Sequence, residues 1–353
     1  MARIAKAPMP ITIVCGPRGA GKTTLINRML GDSRFANTAV ILNDFGAVEL
    51  AGGIVERAEG SFVALGAGCV CCSVRGALTD GLEKLLRDLD NGRADAIGRV
   101  VIEADAAADP GAIFAAVERH PYLVIRFVAD GVVTVLDAVT AEATLRDNAD
   151  AVRQIAMADI VVLSRFERAS PILPLVAALN PHTRIGDATV VDPAALTDYG
   201  ADEFIADDQL EYWTDHPKVD HPPARPQGEA ARVHAYTVAR DRFMSFSQLD
   251  RLVEYLSVLQ GSNLMRVRGF VATGVDETVI VDGIGGFFRP PTIVDKAMTP
   301  PIRFMVVARD IDQTMFEGYL DAFLGEARVD APDAAALTDN PLSLGGFAAR
   351  SGK

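Results

Sequence analysis

Gly16-Pro17-Arg18-Gly19-Ala20-Gly21-Lys22-Thr23 follows the apolar run 11–15 directly and opens the helix-periodic stretch 24–30. These eight residues fit G-x-x-x-x-G-K-[ST], with a strand before them and a helix behind, as a phosphate-binding loop requires. Glycines let the backbone curl until successive N–H groups face one anion, and the helix N-terminus adds partial positive charge. On this reading Gly16, Gly19, Ala20, Gly21, Lys22, Thr23 and Thr24 cradle the phosphates of a nucleotide. Lys22 reaches the β- and γ-phosphates, and the Thr23 hydroxyl ligates Mg²⁺. The competing reading, a glycine-rich turn that binds nothing, is disfavoured by the strand-and-helix context.

Around this loop, short Val/Ile-rich runs at 11–15, 39–42, 100–103, 132–136 and 160–163 alternate with longer amphipathic stretches. That alternation predicts βαβ units, hence an α/β fold with a doubly wound, mostly parallel sheet over residues 8–212. Ligands of open α/β sheets collect at the carboxyl ends of the strands. The run 100–103 ends in Glu103, where a carboxylate can serve a Mg²⁺-bound or an attacking water. From 213 to 230 the composition turns to Pro, His, Asp and Gln without apolar periodicity, which reads as a linker. A second pattern of strands and two helices over 231–327 predicts a smaller C-terminal α+β domain. Periodicity fades across 328–353, which reads as a disordered tail.

Composition narrows the function classes. With 49% hydrophobic and 23% charged residues the 353-residue chain can bury a sizeable core. A net charge of −13 with no dense Lys/Arg cluster argues against a nucleic-acid partner. The run 11–14 is too short to span a bilayer, and no secretory signal precedes it, so the expectation is a cytoplasmic protein without a membrane partner. Three of the four cysteines fall in Gly68-Cys69-Val70-Cys71-Cys72, a spacing suited to metal or redox chemistry rather than a disulfide framework. Because an amphipathic segment at 78–89 follows, the thiols are expected near a helix N-terminus, which favours thiolate. Three soft donors can supply most of a Zn²⁺ site, or bind Co²⁺ or Cu(I), with a fourth ligand from elsewhere. Cys15, alone in the first strand, reads as a core residue.

The phosphate loop, Asn43-Asp44-Phe45-Gly46, the Gly68–Cys72 motif and Glu103 occur in the order found in CobW-type P-loop GTPases. The chain resembles that metallochaperone family over residues 10 to 326. Gln154-Ile155-Ala156-Met157-Ala158-Asp159, Asn180-Pro181 and Arg266-Val267-Arg268-Gly269-Phe270 look like further family landmarks. The resemblance implies a GTPase domain, a metal motif at Cys69, Cys71 and Cys72, and delivery of Zn²⁺, Co²⁺ or another divalent metal to a client metalloprotein. It offers Asp44, Glu49 and His120 as additional ligands, and allows a homodimer that depends on nucleotide or metal. It places Lys22, Thr23 and Glu103 in catalysis, and Ser164, Arg165, Glu167 and Asn180 at the nucleotide. His216 and His221 lie where relatives often carry a His-rich stretch, but two histidines read as a solvated linker.

Two departures stand out. Relatives end the strand before the γ-phosphate loop with Glu-x-x-Gly, whereas here Ala106 replaces the glycine and Asp105 adds charge, which implies slow hydrolysis or a need for metal or client. The guanine-reading Asn-Lys-x-Asp becomes Ser164-Arg165-Phe166-Glu167. Glu167 can accept from guanine N1 and N2 and Arg165 can stack on the base, yet Ser164 cannot replace every bond of an amide. GTP is favoured, with ATP or relaxed base choice open. The alternatives are a non-hydrolysing or weakly hydrolysing metal-storage or regulatory module and, ranked lowest, a small-molecule kinase.

Overall fold

A computed structural model of the chain describes residues 7–42, 62–64, 77–93, 96–199, 226–259, 263–274, 277–295 and 298–325. The first part is a seven-stranded sheet of β1 (Met9–Cys15), β2 (Thr38–Leu42), β3 (Phe62–Ala64), β4 (Arg99–Glu103), β5 (Phe127–Asp137), β6 (Ile160–Ser164) and β7 (Arg184–Asp187). Their order is β3-β2-β4-β1-β5-β6-β7, and every pairing is parallel. β1 lies at the centre, where the winding reverses between β4 and β5, and an open α/β sheet takes its ligand at such a reversal.

Alternate residues of the central strands feed opposite faces, because successive strand side chains point opposite ways. Val14, Val101, Val133, Val135 and Val162 join Leu25, Ile26 and Met29 of helix α1 (Lys22–Leu30) on one face. Ile11, Ile13, Val100, Ile102, Val132, Val161 and Leu163 face the other way. That side is covered by α2 (Ala77–Asp90), α3 (Pro110–Glu118), α4 (Ala141–Asp147), α5 (Ala149–Met157) and α6 (Leu173–Leu179). Burial on both faces explains why these runs are continuously apolar rather than alternating.

The second part is an antiparallel sheet in the order β11-β10-β9-β13-β8, with β12 also on β10. Its strands are β8 (Val233–Arg240), β9 (Leu264–Ala272), β10 (Thr278–Ile284), β11 (Phe287–Phe288), β12 (Thr292–Val294) and β13 (Ile302–Arg309). Helices α7 (Phe246–Leu259) and α8 (Gln313–Leu324) cover one face, where Val267, Val271, Val279, Phe304 and Val306 meet Leu252, Leu256, Phe316 and Leu320. The opposite face supplies Met265, Met305 and Val307 to the core of the first part, next to Ile155 and Met157 of α5. The two parts thus share a continuous apolar interface.

Charged groups are buried at this interface as well. Arg266 and Arg268 of β9 contact Asp159, which follows α5, and Asp282 of β10. The side chains of Arg266 and Asp159 are 1% and 0% exposed, so desolvation must be offset by this pairing. Burial pulls the Arg266 guanidinium down to about 10, with Asp282 opposing, so it stays charged at neutral pH. Among the described residues no helix is long and apolar enough to cross a membrane. The expected tail at 328–353 and most of the expected linker at 213–230, including His216 and His221, lie outside the described residues.

Candidate functional site

The turn after β1 takes backbone shapes that only its glycines tolerate well. Gly16, Gly19 and Gly21 have φ of 138°, 77° and 105°. A Cβ on Gly16 would sit 2.1 Å from the Val135 carbonyl oxygen, whereas at Gly19 and Gly21 it would meet nothing within 4 Å. Gly16 is therefore fixed by packing on β5, while the other two leave an open hollow. Helix α1 starts at Lys22 behind the left-handed Gly21, with no side-chain cap and no acid in its first turn. Its first N–H groups and dipole favour an anion there.

Lys22 and Thr23 follow Gly21 as the first two residues of α1. The Lys22 ammonium donates to the carbonyls of Gly16 at 2.9 Å and Pro17 at 3.2 Å, both within the loop. The Thr23 hydroxyl donates to Glu103 Oε1 at 2.8 Å and lies 3.1 Å from Oε2. Val14 pairs with Glu103 in register, which places the carboxylate beside the loop. The structure thus brings Lys22, Thr23 and Glu103 together, and the two hard oxygen groups beside an anion hollow form a donor set suited to Mg²⁺.

The segment from Ala104 to Asp109 continues β4 past this site. Asp105 turns inward, accepting from the Ala107 N–H at 3.0 Å and standing 3.6 Å from Arg18. The charge at Asp105 therefore has a cation beside it. Ala106 is not among the residues with positive φ, so its methyl group is accommodated without left-handed backbone. Sequence reasoning marked Gln154 only as a landmark, yet its carboxamide donates to the carbonyls of Ala106 at 3.2 Å and Ala108 at 2.9 Å. A polar residue on the buried side of an amphipathic helix was the available signal: Gln154 is 0% exposed, flanked by Ala151, Val152 and Ile155.

At the end of β6, Ser164 donates to the Leu136 carbonyl at 3.3 Å and Arg165 takes a left-handed φ of 54° while pairing with Asp137. Glu167 follows, exposed, on a short 3₁₀ turn. Asn180 sits elsewhere. It is 2% exposed, and its amide donates to the carbonyls of Ile155, Ala156 and Ala158, closing the C-terminal end of α5.

Of the expected metal ligands, Asp44, Glu49, Cys69, Cys71 and Cys72 lie outside the described residues. His120 is described: its Nδ1 accepts from the Leu123 N–H at 3.3 Å, and its Nε2 lies 3.3 Å from Glu83 Oε1. Among the described residues no three His, Cys, Asp or Glu side chains gather in a way that could hold a metal. Cys15 is a core residue, as its position in β1 implies. Burial pushes its thiol up to about 12, and its sulfur lies 3.3 Å from the Thr134 hydroxyl.

Known proteins are similar to this chain in sequence and fold. The zinc chaperone YjiA of Escherichia coli is 28% identical over 267 residues, spanning 75% of this chain and 82% of that protein. The zinc-regulated GTPase metalloprotein activator 1 of Schizosaccharomyces pombe is 33% identical over 167 residues, spanning 45% of this chain and 39% of the relative. In three dimensions the crystal structure of Zn(II)-bound YjiA GTPase from E. coli superposes with a TM-score of 0.63 at 21% identity, covering 90% of this chain and 99% of that one. That likeness extends the shared fold over both sheets. Residues 10–183, which carry the phosphate loop, Glu103 and the turn from Ser164 to Glu167, match the CobW/HypB/UreG nucleotide-binding domain, and this part of the chain is a domain of that family.

Proposed function

We propose that the chain is a GTPase that binds a transition metal at Cys69, Cys71 and Cys72 and delivers it to a client metalloprotein under control of its nucleotide state. The observation that carries this reading is the register at the carboxyl edge of the sheet. Glu103 pairs with Leu42, and Leu42 pairs with Ala64. Ala64, the last described residue before the cysteines, is two strands from Glu103, about 10 Å at ordinary strand spacing. Asp44 follows Leu42 by two residues. The described strands β2 and β3 therefore end at the same edge of the sheet as Glu103, which supports a reading in which the nucleotide acts on the segments that follow them in sequence.

Within this reading the loop N–H groups and the start of α1 hold the phosphates, and Lys22 exchanges its loop carbonyls for the β- and γ-phosphate oxygens. Thr23 and Glu103 would hold Mg²⁺, which offsets phosphate charge during transfer. Hydrolysis breaks the bond between the γ-phosphorus and the β,γ-bridging oxygen. Water supplies the new oxygen, and its proton leaves with the phosphate and solvent. Names of relatives favour Zn²⁺ over Co²⁺ as cargo. A reducing cytoplasm suits three free thiols, and the net charge of −13 speaks against nucleic acid as client.

Guanine selectivity rests on Glu167 in this account. Its carboxylate accepts from guanine N1 and N2, donors that adenine lacks. Glu167→Ala should lower GTP affinity by about tenfold, the equivalent of one charge-assisted hydrogen-bonding group, while ATP affinity stays level. Equilibrium titration with fluorescent GTP and ATP, alongside single-turnover phosphate release from wild type, checks this. Equal loss for both nucleotides would remove Glu167 from base recognition, and absent phosphate release from wild type with GTP, Mg²⁺ and Zn²⁺ would sink the GTPase assignment.

A further inference from the structure

Helix α5 holds the loop behind Glu103 from its middle and the second sheet from its C-terminal end. Gln154 donates to the carbonyls of Ala106 and Ala108 and lies 3.5 Å from that of Asp105. Arg153, one residue earlier, stands 3.8 Å from Asp109, which caps α3 through the Ala112 N–H. Two neighbouring residues of α5 thus grip both ends of the segment 105–109, the backbone that must face a γ-phosphate if one is present.

The far end of α5 is equally committed. A helix leaves its last carbonyls without partners inside it. Here the Asn180 amide serves Ile155, Ala156 and Ala158, and Arg266 of β9 serves Met157 at 3.2 Å. Asp159 then accepts from the Val132 N–H at 2.8 Å and from Arg266 at 2.8 Å, and pairs with Arg268. A second contact runs parallel to this one. A Cβ on Gly111, at the start of α3, would lie 2.7 Å from Gly285 Cα in the turn after β10. Backbone of the two parts therefore meets where the loop becomes α3.

These observations assign a task to Gln154 that no catalytic group performs. We propose that Gln154 is a positioning residue that sets the backbone of residues 105–108 toward the γ-phosphate and, through the rigid end of α5, ties that loop to Arg266 and Arg268 of the second sheet. The proposal rests on the GTPase reading for its catalytic half. Ala106 makes such a tether consequential. The residue has no positive φ, so the left-handed shapes a glycine would offer are not used, and the Gln154 bonds hold the loop in the shape that remains. The carboxamide Oε1 of Gln154 is buried without a hydrogen bond among the described residues, as befits a side chain held for its N–H donors. The loop and the second sheet are then alternative readouts of one nine-residue helix.

The test uses the full-length protein and Gln154→Met, which keeps the side chain's length and removes both donors. Expected is GDP affinity within about threefold of wild type, with kcat for GTP lower by at least about tenfold and KM within about threefold, because a misplaced loop costs the transition state more than binding. Hydrogen exchange supplies a second readout: residues 264–268 should differ in protection between GTP-analogue and GDP states in wild type and lose that difference in the variant. An unchanged kcat in the folded variant, or a kcat loss matched by an equal loss of GDP affinity, overturns the positioning role. A persisting exchange difference in the variant, or none in wild type, overturns the tie to the second sheet. Should Gln154→Met fail to fold, Arg153→Met at the partly exposed end of the same grip replaces it. A kcat loss of about threefold or more at constant GDP affinity then supports the tether, and an unchanged kcat refutes it. If wild type hydrolyses no GTP, the GTPase reading falls by itself, while the exchange comparison still decides the mechanical link.

Discussion

Lys22→Ala is expected to lower GTP affinity by about 100-fold, the largest effect on ligand binding of any single substitution in the site. An ammonium against phosphate oxygens forms charge-assisted hydrogen bonds, and losing ~3 kcal/mol of such bonding corresponds to that factor. The fold should survive. Among the described residues Lys22 is bonded only to the Gly16 and Pro17 carbonyls of its own loop, in a part-buried position where water can replace it. Isothermal titration with GTP and a thermal melt on the same sample make the check. Retained affinity would show that the loop N–H groups suffice without the side chain. A collapse of the melting transition would show that Lys22 holds the loop together.

Asp159→Ala is expected to destabilise the folded protein by about 3–5 kcal/mol, because it leaves buried guanidinium charge uncompensated. Its carboxylate contacts Arg266 and Arg268 and accepts from the Val132 N–H. After its removal Asp282 must carry more of both charges while it also pairs with Arg289. Arg289 in turn donates to the carbonyls of Tyr199 and Asp130, so the network also joins the second sheet to the first half of β5. Urea denaturation gives the number directly. A loss below about 1 kcal/mol would mean that water enters the interface and solvates the arginines, as at a surface pair.

Much of this fold is legible in the residues. The central strands announce themselves as apolar runs because both faces of the sheet are covered, and the strand-loop-helix grammar of the phosphate loop fixes where the nucleotide belongs. The strand ends are less legible. The reading at 132–136 misses the first five residues of β5, since Asp130-Gly131 looks like a turn; the structure has a bulge there instead, with Asp130 buried and bonded to the Thr12 hydroxyl and the Tyr199 N–H. β7 escapes because Arg184-Ile185-Gly186-Asp187 at the sheet edge is only half-buried and carries one large apolar residue. β11 and β12 are too short for any periodicity.

The site shows the same division. Lys22, Thr23 and Glu103 are read from local pattern because their roles follow from short-range geometry. Asn180 and Gln154 are not, because what each amide does depends on carbonyls 22 to 49 positions away. Spacing alone cannot reveal such partners. Asp159, Arg266 and Arg268 likewise register as landmarks, and only the packing of β9 against the end of α5 shows that they answer one another. Ala106 takes no positive φ, so its methyl group costs no left-handed backbone, and the slow hydrolysis that its place in the motif implies is read by the turnover assay.

In the proposed function the nucleotide state governs metal binding by the cysteine segment. Competition titration of Zn²⁺ against a fluorescent chelator, on protein loaded in turn with a non-hydrolysable GTP analogue and with GDP, tests it most directly, with Cys71→Ser as the control that should lose high-affinity binding in both states. The account predicts Zn²⁺ affinities that differ between the two states by at least about fivefold, the lower end of ordinary coupling between sites. Equal affinities in the two states would contradict it.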